Sequence, residues 1–356
     1  MTKILLINWV TISRKQLYQL KAISDCGYTI NVFTNDLLGD SEHWVNQAGP
    51  NSKYIKQPSR LFERVQSLLK AFNNQASIKC AILAPEGRYS IIALILLKLM
   101  KVRIVCIEWG SIGHINKSTH FLRMAMYLCY KYSDLIWYKE PYMKPLLSNI
   151  TSKPLFFLPN AVEAALTESI PFSNRNIAFL WANRLVQGRR PDWYISAANK
   201  IYNKSGLRAV LMGFLDEMVD DKMQERCKNL AANGVELLNF GNSYQLLPQS
   251  RFFVLAADQV FGNNSLLEAM SHGSVPIVTR SIGVDEIIEH GKNGFIAENT
   301  EFGLYEAMEK ASKIDAFAWS RLSQNAIETV ASKFTVKNWK NEFVNMMTTL
   351  ERELNV

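Results

Sequence analysis

Short apolar or β-branched runs alternate with segments of helical period along this chain. In the first half, Ile4–Ile7, Thr29–Phe33, Ala81–Ala84, Arg103–Ile107 and Leu135–Tyr138 read as strands. Lys15–Asp25, Leu61–Asn73, Ile91–Leu99 and Leu122–Tyr132 read as helices. Leu155–Leu158 is a last strand, ended by Pro159 and Asn160. Alternating β and α segments predict a doubly wound parallel sheet. The polar stretch Glu163–Asn176 predicts a linker, and a second alternating series follows it. Its strands are Ile177–Ala182, Arg208–Leu211, Val235–Leu238, Phe252–Leu255 and Val275–Val278. Its helices are Trp193–Tyr202, Asp220–Ala232, Leu266–Ser271, Val284–Glu289 and Glu301–Lys313. Val336–Arg352 is a final amphipathic helix. The pattern predicts an α/β chain of two domains, 1–165 and 166–335, followed by a helical segment 336–356. Ligands of open α/β sheets bind at the carboxyl ends of strands, so a cleft between the domains is the expected site.

Composition narrows the class. A chain of 356 residues fits about two domains, and 48% apolar with 20% charged residues is a globular balance. Mean hydropathy is −0.05, and the longest apolar run, Ile91–Leu97, falls well short of the ~20 residues a membrane span needs. Met1-Thr2-Lys3 leads straight into the first strand without the pattern of a signal peptide. The five cysteines are scattered with no CxxC, which predicts reduced thiols of a cytoplasmic protein and no zinc framework. The net charge of +8 is uneven: residues 1–165 hold 20 Lys and Arg against 10 Asp and Glu, while residues 166–356 hold 20 against 22. The basic first half predicts an anionic partner such as a membrane surface or phosphorylated substrate. A solubilising surface accounts for the same charge. No nucleic-acid-binding module accompanies it.

Three stretches of the second half carry candidate chemistry. In the first, the loop Phe261-Gly262-Asn263-Asn264 opens a helix near Ser265, and amides at a helix start favour a phosphate. Glu268, one turn inside, is placed to accept two hydroxyls of a ribose-like diol. Ser265-Leu266-Leu267-Glu268 is equally a capping box, and both readings fit the residues. In the second, Arg184, Arg189 and Arg190 cluster in the strand-to-helix loop ending at Pro191, where guanidinium groups can hold a diphosphate. A solvated basic loop fits as well. In the third, Gly291-Lys292-Asn293-Gly294 is a turn after Asp285-Glu286-Ile287-Ile288.

Arg184 and Arg189, Leu266-Leu267-Glu268-Ala269-Met270, Glu286-Ile287-Ile288 and Gly291–Phe295 follow one another as in the retaining glycosyltransferases of family 4, the group 1 transferases. Phe157–Glu163 resembles that family's strand-to-hinge segment, and the resemblance is concentrated over residues 155–300. It implies a GT-B fold: two Rossmann-like doubly wound domains facing across a cleft, with the C-terminal helix crossing back to the first. It also implies retention of configuration, no bound metal, no tightly held cofactor, and a nucleotide-diphosphate sugar of UDP or GDP type as donor substrate. Arg184 and Arg189 then take the donor diphosphate, and Glu268 the ribose hydroxyls. Gly262, Asn264, Ser265, Leu266 and Leu267 lie around the phosphates, with the Ser265 and Leu266 amides facing them. Cations there stabilise the charge gained by the leaving diphosphate.

The chain departs from the family at two places. The first glutamate of the two-glutamate motif falls on Val260, so Asp258, Gln259 or neither fills its role. The loop Trp9–Lys15 lacks the family's glycines; either Arg14 or Lys15 takes their place near the phosphates, or the acceptor enters differently. His114, in the loop after Arg103–Ile107, stands where many relatives place a histidine near the donor sugar, and a structural or solvent-facing role fits it too. The expected activity is sugar transfer to a glycan or lipid-linked acceptor, in bacterial surface polysaccharide or lipopolysaccharide synthesis. A sugar-nucleotide epimerase, or a non-catalytic membrane- or polyanion-binding protein on the same fold, are the alternatives. Leu61, Val65, Leu68 and Leu69, with Arg60, Arg64 and Lys70, read as a basic amphipathic helix for the inner membrane face, or as an ordinary helix covering the sheet.

Overall fold

The computed structural model describes residues 3–12, 14–37, 52–73, 78–85, 87–110, 112, 113, 115, 118–163, 170–214, 220–232, 234–239, 241, 243–258 and 262–352. Residues 1–161 with 336–356 form one compact unit, and residues 162–335 form a second. Residues 164–169 of the predicted linker lie outside the described residues.

In chain order the first unit contains β1 (Lys3–Ile12), α1 (Arg14–Asp25), β2 (Thr29–Leu37), β3 (Ser52–Lys56), α2 (Leu61–Asn73), β4 (Ile78–Leu83), α3 (Arg88–Leu99), β5 (Arg103–Glu108), α4 (His120–Tyr132), β6 (Leu135–Tyr138), α5 (Met143–Ser148) and β7 (Leu155–Phe157). The second contains β8 (Ile177–Ala182), α6 (Pro191–Ser205), β9 (Ala209–Phe214), α7 (Asp221–Leu230), β10 (Val235–Asn239), β11 (Ser250–Leu255), α8 (Asn264–Ser271), β12 (Val275–Thr279), β13 (Phe295–Ala297), α9 (Glu301–Ser312) and α10 (Ala316–Lys333). The last helix, α11 (Val336–Arg352), returns to the first unit.

Each unit is a parallel sheet with helices on both faces. The orders are β3-β2-β1-β4-β5-β6-β7 and β10-β9-β8-β11-β12-β13. Both are the doubly wound Rossmann order, which reverses beside the first strand of the unit and opens a crevice there. The strands are almost wholly apolar because helices cover both faces: every residue of β6, β8 and β12 is buried. In the first unit, α1 and α11 cover one face, with Leu20 and Ile23 packed among Trp339, Phe343 and Met346. The Trp339 ring lies 5.8 Å from that of Trp137 on β6. Helices α2 to α5 cover the other face through Leu68, Ala93, Leu97, Met126 and Leu147.

Several local expectations change. Trp9–Ile12 continue β1, paired with Thr34, Asp36 and Leu37 of β2, so the loop expected at Trp9–Lys15 shrinks to the junction before α1. Ser52–Lys56, outside every predicted element, form β3, while the basic helix spans Leu61–Asn73 as expected. The helix expected at Val284–Glu289 is one 3₁₀ turn, Val284–Glu286, started by Gly283 in the left-handed region. Asn293 ends it: its side chain accepts from the Glu289 amide at 2.8 Å and donates to the Ile287 carbonyl at 2.9 Å. Residues 316–333, outside every predicted element, form the longest helix of the second unit.

Candidate functional site

The crevice of the second unit lies between β8 and β11, the neighbouring strands that lead to opposite sides of the sheet. The segments that leave their carboxyl ends are tied together by backbone and side-chain hydrogen bonds. The Asp258 amide donates to the Gly188 carbonyl at 3.1 Å. Asn263 Nδ2 donates to Asn183 Oδ1 at 3.0 Å. Gly213, at the end of β9, runs so close to the first loop that a Cβ there would overlap the Asn183 carbonyl oxygen.

The first loop carries the three arginines. Arg184 is exposed and Arg189 half-buried in a 3₁₀ turn, Gln187–Arg189. Arg190 adopts the left-handed region at φ 47° and hands the chain to Pro191 at the first position of α6, where its missing amide hydrogen costs nothing. Arg190 turns to the neighbouring loop: Nη2 lies 2.7 Å from Asp258 Oδ1, and the guanidinium stands over the Trp193 ring. The Asp258 carboxylate is therefore engaged in this pair.

The second loop enters α8 through Gly262 in the left-handed region and Asn263 at the N-cap. Asn263 Oδ1 accepts from the Leu266 amide at 3.0 Å, and its carbonyl accepts from Leu267. This corrects two expectations. The cap is Asn263, so Ser265-Leu266-Leu267-Glu268 is not a capping box. The Leu266 amide already has a partner, and the Leu266 and Leu267 side chains are in the core. Asn264 and Ser265 are left as the first-turn amides for an anion. Asn264 Oδ1 and Asn183 Nδ2, beside this turn, are buried without a hydrogen-bond partner among the described residues.

Glu268 is 7% exposed, and Tyr244 Oη donates to its Oε1 at 3.1 Å. Tyr244, from the 3₁₀ turn after β10, also meets the His272 ring edge-on at 5.4 Å. His272 closes α8, its Nδ1 lying 2.8 Å from the Glu268 carbonyl oxygen, which fixes the neutral ring with the proton on Nδ1. Burial holds the His272 pKa below its ordinary value of 6.5. A group whose folded pKa is depressed contributes stability above its unfolded pKa and loses it as pH falls. Melting temperature is therefore expected to fall between pH 7 and 5, and to fall less in His272→Asn. Equal slopes in calorimetric scans would remove His272 as the cause.

His114, Gln259 and Val260 lie outside the described residues. The loop leading toward position 114 is anchored by Glu108, whose buried carboxylate accepts from the amides of Gly110 at 2.6 Å and Ile112 at 3.1 Å and from the Tyr130 hydroxyl. Among the described residues no cluster of His, Cys, Asp and Glu has the arrangement of a metal site. Motif order in the sequence led to Arg184, Arg189 and Glu268. It missed Tyr244 and Asn183, which join the site through contacts 24 and 80 positions away.

Residues 176–313 match the family model described as glycosyl transferases group 1. The chain carries a glycosyltransferase domain. No curated protein sequence matches it. Solved structures match the whole chain as a GT-B fold at low identity. HepE from Anabaena, crystallised with UDP and glucose, gives a TM-score of 0.80 at 15% identity, covering 98% of this chain and 100% of that one. Sucrose-phosphate synthase from Thermosynechococcus elongatus gives 0.79 at 14% identity over 99% and 100%. The pneumococcal O-GlcNAc transferase GtfA, with UDP and GlcNAc, gives 0.69 at 12% identity over 100% and 99%. Residues 183–190, 256–258, 262 and 263 at the switch point and helix α8 all fall inside the segment matched to the glycosyltransferase model.

Proposed function

We propose that this glycosyltransferase is a retaining, metal-independent enzyme of family 4. It moves a sugar from a nucleotide-diphosphate sugar to a glycan or lipid-linked acceptor in bacterial surface polysaccharide or lipopolysaccharide synthesis, at the cytoplasmic face of the membrane. Residues 1–165 take the acceptor and residues 166–335 the donor. The observation that carries this reading is the buried Glu268 carboxylate one turn inside α8, across the switch point from Arg184 and Arg189. That is an arrangement for a ribose diol joined to a diphosphate. UDP is the favoured nucleotide, since HepE is recorded with UDP-glucose.

In the proposed reaction the donor's bond from the anomeric carbon to the diphosphate oxygen breaks, and the acceptor oxygen bonds to the same face of the sugar. The acceptor proton passes to the leaving phosphate, so no enzymic base is required. Arg184, Arg189 and the amides of Asn264 and Ser265 hold the charge that develops on the leaving group, and fixed donors of this kind lower the barrier directly. Glu268, oriented by Tyr244, holds the ribose, and the family resemblance alone assigns His114 to the donor sugar. Because Asp258 is paired with Arg190, it is a poor replacement for the motif's first glutamate.

A panel of UDP- and GDP-sugars in a thermal-shift assay tests the reading. A donor at 100 times its Kd adds ~2.7 kcal/mol of stability, which gives a rise of several degrees. If no sugar nucleotide stabilises the chain, the donor site is wrongly assigned. Val260 at the first-glutamate position favours one second reading, a binding protein without turnover. Donor binding with neither transfer nor hydrolysis would select it.

A further inference from the structure

The outer faces of α2, α3 and α4 carry an apolar surface that the donor site does not use. Of the large hydrophobic side chains exposed among the described residues, most lie on these helices and the residue after α3; Leu99 is 73% and Phe62 71% exposed. The helices are consecutive neighbours on one face of the first sheet. Only part of each is needed by the core: Leu68, Leu97 and Met126 point inward, while Phe62, Ile95, Leu99, Phe121, Tyr127 and Tyr132 point out. Between α3 and α4 the surface deepens into a groove of about 440 Å³, walled by Ile91, Leu94, Ile95, Leu99, Leu128 and Tyr132, with Lys98 at its edge.

The charge on this face is mainly positive, with Lys98 at the groove's edge paired to Asp134 at 2.6 Å. The three helices contain Arg64, Lys70, Arg88, Lys98, Arg123 and Lys131 against a single acid, Glu63. The cations are interleaved with the apolar groups: the Arg88 guanidinium stands 3.9 Å over the Phe121 ring, and Lys131 lies within 6 Å of both Tyr127 and Tyr132. Aromatic side chains under cationic heads suit the boundary between lipid headgroups and acyl chains, where one end is apolar and the other wet. A second copy of the chain fits poorly, because a two-fold contact would set these cations against themselves.

We infer that the α2–α4 face docks on an anionic lipid bilayer. Leu99, Ile95 and Tyr132 enter the acyl boundary, the groove takes a lipid chain segment, and the cations contact the headgroups. This deepens the membrane part of the reading above: it rests on that reading for its biological setting and on the surface alone for its physics. It assigns the membrane contact to α3 and α4 as well as to the basic helix α2.

Sedimentation of the full chain with vesicles tests it. Phosphatidylcholine vesicles are compared with the same vesicles containing phosphatidylglycerol, at low and high salt. At least tenfold stronger binding to the anionic vesicles, weakened by salt, is expected. Leu99→Glu is expected to lower partition about tenfold, and Lys131→Gln about fivefold. Both positions are exposed, and retained stabilisation by a UDP-sugar without vesicles checks that each variant is folded. Equal binding to both vesicle types, or wild-type binding by Leu99→Glu, overturns the proposal. So does a wild-type dimer that Leu99→Glu converts to monomer, since the face would then join two copies. Vesicle binding by a wild-type chain that no sugar nucleotide stabilises would uphold this surface and defeat the donor reading alone.

Discussion

Glu268→Ala is expected to lower kcat/KM for the sugar-nucleotide donor about 100-fold and leave the fold intact. A hydrogen bond to a charged group contributes ~1.5–3 kcal/mol, and a carboxylate holding two ribose hydroxyls loses both. About 3 kcal/mol in donor-dependent transition-state binding corresponds to that factor. Stability is expected to change by ~1.5–3 kcal/mol, the worth of the Tyr244 bond to the carboxylate. The fold is kept because α8 is capped by Asn263, so its start does not depend on Glu268. Glu268→Gln keeps one acceptor oxygen and is expected to lose about tenfold. Transfer or donor-hydrolysis kinetics, beside circular dichroism, separate binding from folding. Unchanged kinetics in Glu268→Ala would mean that the ribose lies elsewhere.

The largest expected effect on stability belongs to Arg175, which the sequence did not mark. It is 1% exposed and donates to three carbonyl oxygens: Ile170 at 2.9 Å, Ser250 at 2.6 Å and His272 at 2.8 Å. Its guanidinium lies 4.8 Å from the centre of the Trp319 ring on α10. One side chain thus joins the start of β11, the end of α8 and α10. Its charge also faces the negative end of the α8 dipole. Burial pulls its pKa down to about 10, which leaves it charged at neutral pH. Arg175→Ala would strand several buried carbonyls and open a cavity, at a cost of ~4 kcal/mol in a urea melt. Arg175→Met keeps most of the volume and separates packing from hydrogen bonding. Wild-type stability in the methionine variant would show that the bonds contribute nothing net.

The alternation of strands and helices was legible because both sheets are covered on two faces, so strands such as Ile177–Ala182 read as unbroken apolar runs. The elements that escaped lack that contrast. Helix α10 buries Trp319, Leu322, Ser323, Ala326 and Val330. Two of the five are small or polar, and Ser323 earns its place by donating to the Gly273 carbonyl at 2.7 Å. Strand β3 is interleaved with lysines at an edge of the sheet. At the site, local motifs led to the arginine loop and to Glu268. Choosing between a capping box and a binding carboxylate required the Asn263 bond. Tyr244 has no motif of its own, because its role depends on where β10 ends relative to α8.

The first unit is assembled from two separated parts of the chain, and this bears on its synthesis. Residues 336–352 leave the ribosome only after the whole second unit, yet Trp339, Phe343, Met346, Met347 and Leu350 complete the core over α1. During translation that sheet face, with Leu20, Ile23 and Trp137, waits uncovered while a sequence-contiguous domain of 174 residues folds behind it. Until the last helix docks, the nascent first unit presents an apolar face suited to chaperone capture.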